Sequence, residues 1–122
     1  MQAERFQEGS AFRRMLVWQK AMILTSSVYK IVKGLPKEEM YALGSQLRRC
    51  AVSIPSNIAE GSKRGTKKDF LQFLRIASGS AAELETQLIL AEEEYAIKGI
   101  SDTLRNLNEL QRMLESLMSK LF

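Results

Sequence analysis

Six basic residues in the middle of the chain carry the clearest chemistry that the sequence offers. Arg48 and Arg49 stand side by side. The other four lie in one short stretch that contains two glycines: Lys63, Arg64, Lys67 and Lys68. Basic side chains grouped in this way bind phosphates in a sequence-independent, salt-sensitive manner. Alternatively, the charges are solvated or paired with carboxylates such as Glu60, and for a single copy of the chain the residues alone favour this second interpretation.

A second basic group surrounds the one tryptophan. Arg13, Arg14 and Lys20 flank Trp18, and an aromatic ring beside cations can stack on a nucleic-acid base. A tryptophan in a wide apolar stripe is more often part of a core or of a subunit interface, and the interface is the interpretation favoured here. The predicted oligomer interface is the following stripe: Trp18, Met22, Tyr29 and Val32.

Catalytic machinery is not evident in the sequence. It contains no histidine and one cysteine, Cys50, which excludes zinc sites of the usual kind and Ser-His or Cys-His nucleophiles. Glu60 has no partner base or metal cluster. We interpret the run Ser53–Gly61 as structural, because Pro55 leaves the carbonyl of Ala51 without its helical partner and nearby Ser and Asn side chains can reach such groups. The sequence predicts a non-enzymatic protein with no catalytic residue, metal or cofactor.

Charge is divided unevenly along the 122 residues. Residues 1–68 hold 13 Lys and Arg against 5 Asp and Glu, whereas residues 69–122 hold 5 against 9. This asymmetry suggests an anionic partner for the first half, or a neighbouring subunit of opposite charge. The alternative is that both halves are simply solvated.

The cysteine usage and the hydropathy bear on the compartment. A single cysteine fits a reducing environment. No stretch of 18 apolar residues is present and the first residues lack an apolar signal core, so we expect no membrane association. The expected localisation is cytoplasmic.

Apolar residues at helical spacing predict an all-α fold, an up-down antiparallel four-helix bundle over residues 13–122. A flexible segment is predicted over residues 1–12. The first helix should run from Arg13 to Lys33, with Gly34 at its C′ position. The second should start near Pro36 and continue, kinked, through Pro55.

The third helix has the most regular pattern and should begin after Thr66, with Asp69 completing a capping-box-like start. Two sets of residues recur every seven positions: Phe70, Ala77, Leu84 and Ala91, and then Leu74, Ala81, Leu88 and Tyr95. Such a seam predicts left-handed bundle packing. Gly79 interrupts it at a cost of about 1 kcal/mol relative to Ala, which suggests close approach of a helix or a subunit. A fourth helix should follow an N-cap at Ser101-Asp102.

Several segments resemble one known family. They are Leu16–Ala21, Leu35–Glu39, Gln46–Gly61, Lys68–Ser80 and Glu83–Glu85. The chain resembles, over roughly residues 15–120, the four-helix-bundle proteins encoded in intervening sequences of bacterial 23S ribosomal RNA genes. The run Ser53–Gly61 is the most specific part, and Cys50 is a minor departure, since a small apolar residue is usual there.

The resemblance implies a bundle that assembles into a ring-shaped homopentamer. It also implies kinship to the accessory proteins of diversity-generating retroelements, which are basic pentamers that bind a reverse transcriptase and nucleic acid. Repeating a weak basic patch around a ring would raise its avidity. With the resemblance, phosphate binding and solvation become equally weighted interpretations of the six basic residues.

Three functional hypotheses follow. The first is an oligomeric protein that binds nucleic acid through its basic loops, with RNA favoured over DNA as the ligand. The second is an inert oligomeric scaffold or adaptor that docks a protein partner, such as a reverse transcriptase, through apolar stripes. An enzyme such as a nuclease ranks last, because the sequence offers no His and no carboxylate pair at metal-ligand spacing.

Overall fold

Four α-helices make up the bundle. The structure, a computed structural model, describes residues 9–121, and its helices are α1 Leu16–Lys33, α2 Leu43–Ser62, α3 Lys67–Glu94 and α4 Ile100–Ser119. Each helix packs mainly against two others, in the circular order α1, α2, α3, α4. Short connections reverse the chain each time. The predicted all-α, four-helix bundle is therefore confirmed.

The core follows the predicted heptads. On α3, the six central seam residues are fully buried: Leu74, Ala77, Ala81, Leu84, Leu88 and Ala91. Phe70 and Tyr95, at the two ends of the seams, are partly buried. The small side chains Ala77 and Ala81 pack where α3 meets its neighbours, as the pattern indicates. Burial of this continuous apolar surface is the main term that stabilises the bundle.

Three predicted helix starts are wrong. The helix α1 begins at Leu16 and not at Arg13, because Met15 is extended with φ −71° and ψ 126°, and the starts of α2 and α4 differ as well. Lys37–Glu39 forms a short 3₁₀ helix, and α2 begins only at Leu43, because Ala42 has φ −109° and ψ −95°, outside the helical region. At α4 the N-cap is Gly99, with φ +93°, not Ser101-Asp102. Gly34 ends α1 with φ −87°, so it does not take the left-handed conformation that a C′ glycine usually adopts.

The start of α3 agrees with the sequence pattern. Thr66 is the N-cap of α3, and its side-chain oxygen accepts a hydrogen bond of 3.1 Å from the backbone N–H of Asp69. That bond satisfies one of the orphan donors at the helix start. The capping interaction predicted at this position is confirmed.

The helix α2 is continuous through Pro55, as predicted, while the kink remains a prediction. Proline removes the backbone donor that would pair with the carbonyl of Ala51. The hydroxyl of Thr25 on α1 lies 3.1 Å from that carbonyl oxygen and 2.8 Å from that of Ala21. The single hydroxyl proton of Thr25 is shared between these two carbonyls, so a neighbouring helix offers the Ala51 carbonyl a shared donor in place of the one that the proline removes.

The packed part of the chain extends across the predicted boundary at residue 12. Ala11–Arg14 forms a 3₁₀ helix, and the ring of Phe12 lies edge-on to Trp18 with a centroid distance of 5.4 Å. Of the segment predicted to be flexible, residues 1–8 lie outside the described residues. Within residues 9–121, no helix has the length and apolar character needed to cross a bilayer.

Candidate nucleic-acid interface

The six predicted phosphate-binding residues occupy two separate places on the bundle. Arg48 and Arg49 lie in the second turn of α2, whereas the other four lie where α2 ends and α3 begins. The fifteen residues of helix from Arg48 to Lys63 correspond to about 22 Å along the axis. The structure therefore does not bring the six residues together into one patch.

The basic loop, Lys63, Arg64, Lys67 and Lys68, lies at one end of the bundle. A left-handed residue, Gly65 with φ +95°, turns the chain between the two helices. The four basic side chains are all exposed, and Lys67 and Lys68 begin α3. The backbone thus displays these charges to solvent on a tight, well-defined turn.

Arg64 differs from the three lysines of the basic loop. Its guanidinium lies 2.8 Å from the carboxylate of Glu60 and 4.8 Å from the ring centroid of Phe73. For this residue, the alternative of pairing with a carboxylate such as Glu60 is confirmed. Both groups are about half exposed, so this pair adds little stability. Lys63, Lys67 and Lys68 make no ion pair with another described residue, and they supply most of the available charge.

Arg48 and Arg49 lie beside a part of α1 that the sequence pattern does not connect with them. Because α1 and α2 are antiparallel, the end of α1 faces the start of α2. Lys30 and Lys33 therefore join the two arginines around the ring of Tyr29. Only the known order of the helices, combined with the face of each residue, could have revealed this grouping.

We name this region the Tyr29 groove. It consists of two depressions of about 430 and 410 Å³ that share Tyr29 and Val52. Hydroxyl, apolar and cationic side chains complete its lining: Met22, Thr25, Ser26, Lys30, Lys33, Ser45, Arg48, Arg49 and Ser53. No carboxylate lines it, and its four cations make no ion pair with another described residue.

Half of the predicted oligomer interface is buried inside the subunit. Trp18 is 9% exposed and Val32 is 2% exposed, and both belong to the core. Their exposure was wrongly predicted because the wide apolar face of α1 is covered from several sides, by the 3₁₀ helix at Ala11–Arg14 as well as by neighbouring helices. Met22 is partly buried and Tyr29 is 42% exposed, so these two alone remain accessible.

A different apolar depression lies between α1 and α4. It has a volume of about 390 Å³ and one charged residue, Lys120, at its edge. Its other lining residues are Met15, Leu16, Val17, Met113, Ser116 and Leu117. Leu16 is 61% exposed, far more than a core leucine. We refer to this depression as the Leu16 groove.

Polar side chains fill part of the contact between α2 and α3. The hydroxyls of Ser53 and Ser80 are 2.8 Å apart, and the amide of Asn57 donates to the carbonyl of Ser53 over 2.8 Å. The first contact joins α2 to α3 and the second lies within α2, which supports the structural interpretation of the run Ser53–Gly61. A Cβ added at Gly79 would meet no other atom within 4 Å, so no helix of the same subunit approaches it closely.

Cys50 is not set up as a nucleophile. Burial, followed by a hydrogen bond to Glu83 and the charge of that carboxylate, raises the pKa of the thiol to about 11. A thiol with such a pKa is protonated at neutral pH and reacts slowly. Among the described residues, no group of three or more Cys, Asp or Glu could hold a metal ion.

Because the helices pack in circular order, the first half of the chain forms one side of the bundle and the second half forms the other. α1 carries Lys20, Lys30 and Lys33 and no acid, whereas the last turn of α3 carries Glu92, Glu93 and Glu94. Lys20 donates to Glu109 over 2.7 Å, which joins α1 to α4 and lowers the pKa of Glu109. Apart from Lys67 and Lys68 at the start of α3, the α3–α4 side carries more acidic than basic residues, whereas the α1–α2 side is basic.

Comparison with known proteins identifies a solved structure with a similar fold and a family whose model matches the sequence. A crystal structure of a protein of unknown function from the S23 ribosomal protein family of Bacteroides thetaiotaomicron superposes with a TM-score of 0.77 at 22% identity, over 98% of this chain and 99% of that one. No curated protein matches the chain. The model of the family described as 23S rRNA-intervening sequence protein matches residues 13–116. The chain therefore belongs to the 23S rRNA-intervening sequence protein family.

Proposed function

We propose that this protein is a non-enzymatic, homo-oligomeric bundle that binds nucleic acid through its basic loop, with RNA favoured over DNA as the ligand. The observation that carries the proposal is the display of Lys63, Lys67 and Lys68 on one exposed turn, with no carboxylate paired to them among the described residues. Unpaired lysines can neutralise phosphates and thereby release the counterions that are condensed on the nucleic acid. The absence of histidine from the sequence supports a binding role rather than an enzymatic one.

The test is a salt-dependent binding assay with a matched charge reversal. Fluorescence anisotropy with a labelled RNA should show affinity that falls steeply between 50 and 200 mM salt, as is typical (about 10³-fold for six phosphate contacts). Lys67→Glu with Lys68→Glu should weaken binding and reduce the salt slope by roughly 1 to 2. Lys37→Glu with Lys98→Glu makes the same charge change away from the basic loop and should retain more of the affinity.

Two results would contradict this part of the proposal. One is the lack of any binding at low salt. The other is equal weakening by the two double variants, since that would reflect total charge and not the basic loop.

For the oligomer, we place the contact between copies at the Leu16 groove. Its support is the exposure of Leu16 within an apolar depression that carries a single charge, because large exposed apolar patches mark contact sites. Met22 and Tyr29, the accessible remainder of the predicted interface, are flanked by like charges, which disfavours packing of that face on its own copy.

Native mass spectrometry tests the oligomer directly. The wild type should be a multimer, with a pentamer expected, and Leu16→Glu should shift it towards the monomer. Ile76→Glu, at a residue that is 44% exposed elsewhere on the bundle, should leave the mass unchanged. A monomeric wild type at micromolar concentration would refute the oligomer.

The second candidate function is a protein adaptor, and the same Leu16 groove favours it, since an apolar depression also fits a partner protein. In that case affinity capture returns one protein, such as a reverse transcriptase, after nuclease treatment, and Leu16→Glu abolishes its capture. Capture that nuclease removes would favour nucleic-acid binding.

A further inference from the structure

We propose that the Tyr29 groove is a binding site for single-stranded nucleic acid, in which a base stacks on Tyr29 and the adjoining phosphates contact the surrounding cations. These cations are Lys30, Lys33, Arg48 and Arg49. The inference rests on the proposed function and deepens it, because it adds a second contact surface and specifies the form of nucleic acid that is bound.

The ring of Tyr29 is available for stacking. It is 42% exposed and forms part of the wall of both depressions of the groove, with the apolar side chains of Met22 and Val52 beside it. Val52 is itself 40% exposed. Every base has an apolar face that can stack on an aromatic ring, and each such contact is strong and tolerant of sequence.

The charge around the ring points to a polyanion. Elsewhere on the bundle several cations are paired with carboxylates, as Lys20 is with Glu109 and Arg105 is with Asp102. Around Tyr29 two lysines of α1 line one depression and two arginines of α2 line the other, with no carboxylate in the lining of either. Of these four cations, Arg49 also lines a neighbouring depression together with Glu83. Like charges that line one groove repel one another, and an anion bound among them relieves that repulsion.

Single strands fit the groove better than a duplex does. In a duplex the bases stack on one another, so their faces are not accessible to a side chain, whereas unpaired bases can turn out and stack on aromatic groups. A duplex could reach the cations with its phosphates but could not use Tyr29. Arg48 in the groove and Lys63 in the basic loop are about 22 Å apart along the axis of α2, a separation that a 20-nucleotide single strand can span.

The experiment compares Tyr29→Ala, Tyr29→Phe and Tyr41→Ala on two labelled probes, a 20-nucleotide oligouridine and a 20-base-pair RNA duplex. Tyr41 is 91% exposed and lies outside the groove, so it serves as the control tyrosine. Tyr29→Ala should weaken binding of the single strand by about 5- to 100-fold, which corresponds to loss of one stacked base. Duplex binding should change by less than about twofold, as for a contact that leaves phosphates untouched. Tyr29→Phe and Tyr41→Ala should behave as the wild type.

Ultraviolet crosslinking gives a second readout. Irradiation of the wild type with the oligouridine, followed by peptide mass spectrometry, should locate the crosslinked base on the peptide that contains Tyr29. Unchanged single-strand binding by Tyr29→Ala, or equal loss on both probes, would overturn the inference while leaving the basic loop as a binding site.

Two further outcomes are also decisive. If Tyr29→Ala changes the native mass of the protein and leaves RNA binding intact, the groove is a contact between copies and the inference is wrong. If the wild type binds neither probe at low salt, the proposed function itself fails, together with the inference that rests on it.

Discussion

Replacing Gly61 with alanine should destabilise the bundle, although alanine is the better helix former. Gly61 is buried in the last turn of α2, where a Cβ would lie 2.6 Å from the Cβ of Phe73 and 3.1 Å from Cδ1 of Phe70. The Cβ of Phe73 is fixed to the backbone of α3 and cannot rotate away. The two helices must therefore separate locally to admit one methyl group.

The magnitude follows from two opposing terms. Alanine gains about 1 kcal/mol of helix propensity over glycine. Overpacking a close contact costs about 1–3 kcal/mol, and a 2.6 Å contact with a fixed atom belongs in the upper part of that range. We expect a net loss of about 1–2 kcal/mol in the free energy of unfolding, or a fall in Tm of roughly 5 °C or more.

Gly79 provides the matched control. It lies mid-helix on α3, and a Cβ there would meet nothing within 4 Å. Gly79→Ala should therefore stabilise the protein by about 0.5–1 kcal/mol. A loss of stability on this change, seen only at concentrations where the chain is oligomeric, would instead locate a neighbouring subunit against this face.

The assay is urea unfolding followed by circular dichroism at 222 nm. All variants must be compared at one protomer concentration, because association shifts the apparent stability. Gly61→Ala with stability equal to or above that of the wild type would refute the close-packing explanation. Equal effects of the two substitutions would show that intrinsic helix propensity, and not the contact with Phe73, decides the result.

Three further predictions concern single hydrogen bonds and one thiol. Thr25→Val removes the donor near the Ala51 carbonyl and should cost about 1–3 kcal/mol in urea unfolding, while Thr25→Ser should restore most of it. Tyr95 donates to Glu39 over 2.7 Å, and this bond raises the pKa of the phenol from 10.0 to about 12. Its stabilising contribution is present below pH 10.0 and is lost as the pH rises through about 12; an absorbance titration at 295 nm should lose this late phase in Glu39→Gln. Alkylation of Cys50 at pH 8 should be at least about tenfold slower in the folded than in the unfolded protein, and a native rate equal to the unfolded rate would contradict the effect of burial.

The sequence was sufficient for most of the fold. Heptad spacing on α3 predicted its buried face because every seam residue repeats in one register, and the Thr66 cap followed from its local pattern. The start of α2 could not be predicted, since the backbone break at Ala42 depends on how the chain crosses from α1 to α2. Helix periodicity does not report such crossings.

The candidate site was less predictable, for a tertiary reason. The pattern identified Arg48 and Arg49 but grouped them with the basic loop, because distance along a sequence says little about distance across a bundle. Lys30 and Lys33 join the arginines only once α1 and α2 are placed side by side. Trp18 was misjudged because burial of a wide stripe depends on how many neighbours cover it.

The separation of charge between the two sides of the bundle makes the folded chain an electric dipole. In the field of a polyanion such a molecule experiences a torque as well as an attraction, so it rotates with its α1–α2 side forward before any contact forms. At low ionic strength this alignment begins tens of ångströms away, since the screening length is about 30 Å at 0.01 M salt and about 8 Å at 0.15 M. The Tyr29 groove, which lies between α1 and α2, would then arrive already facing the polyanion.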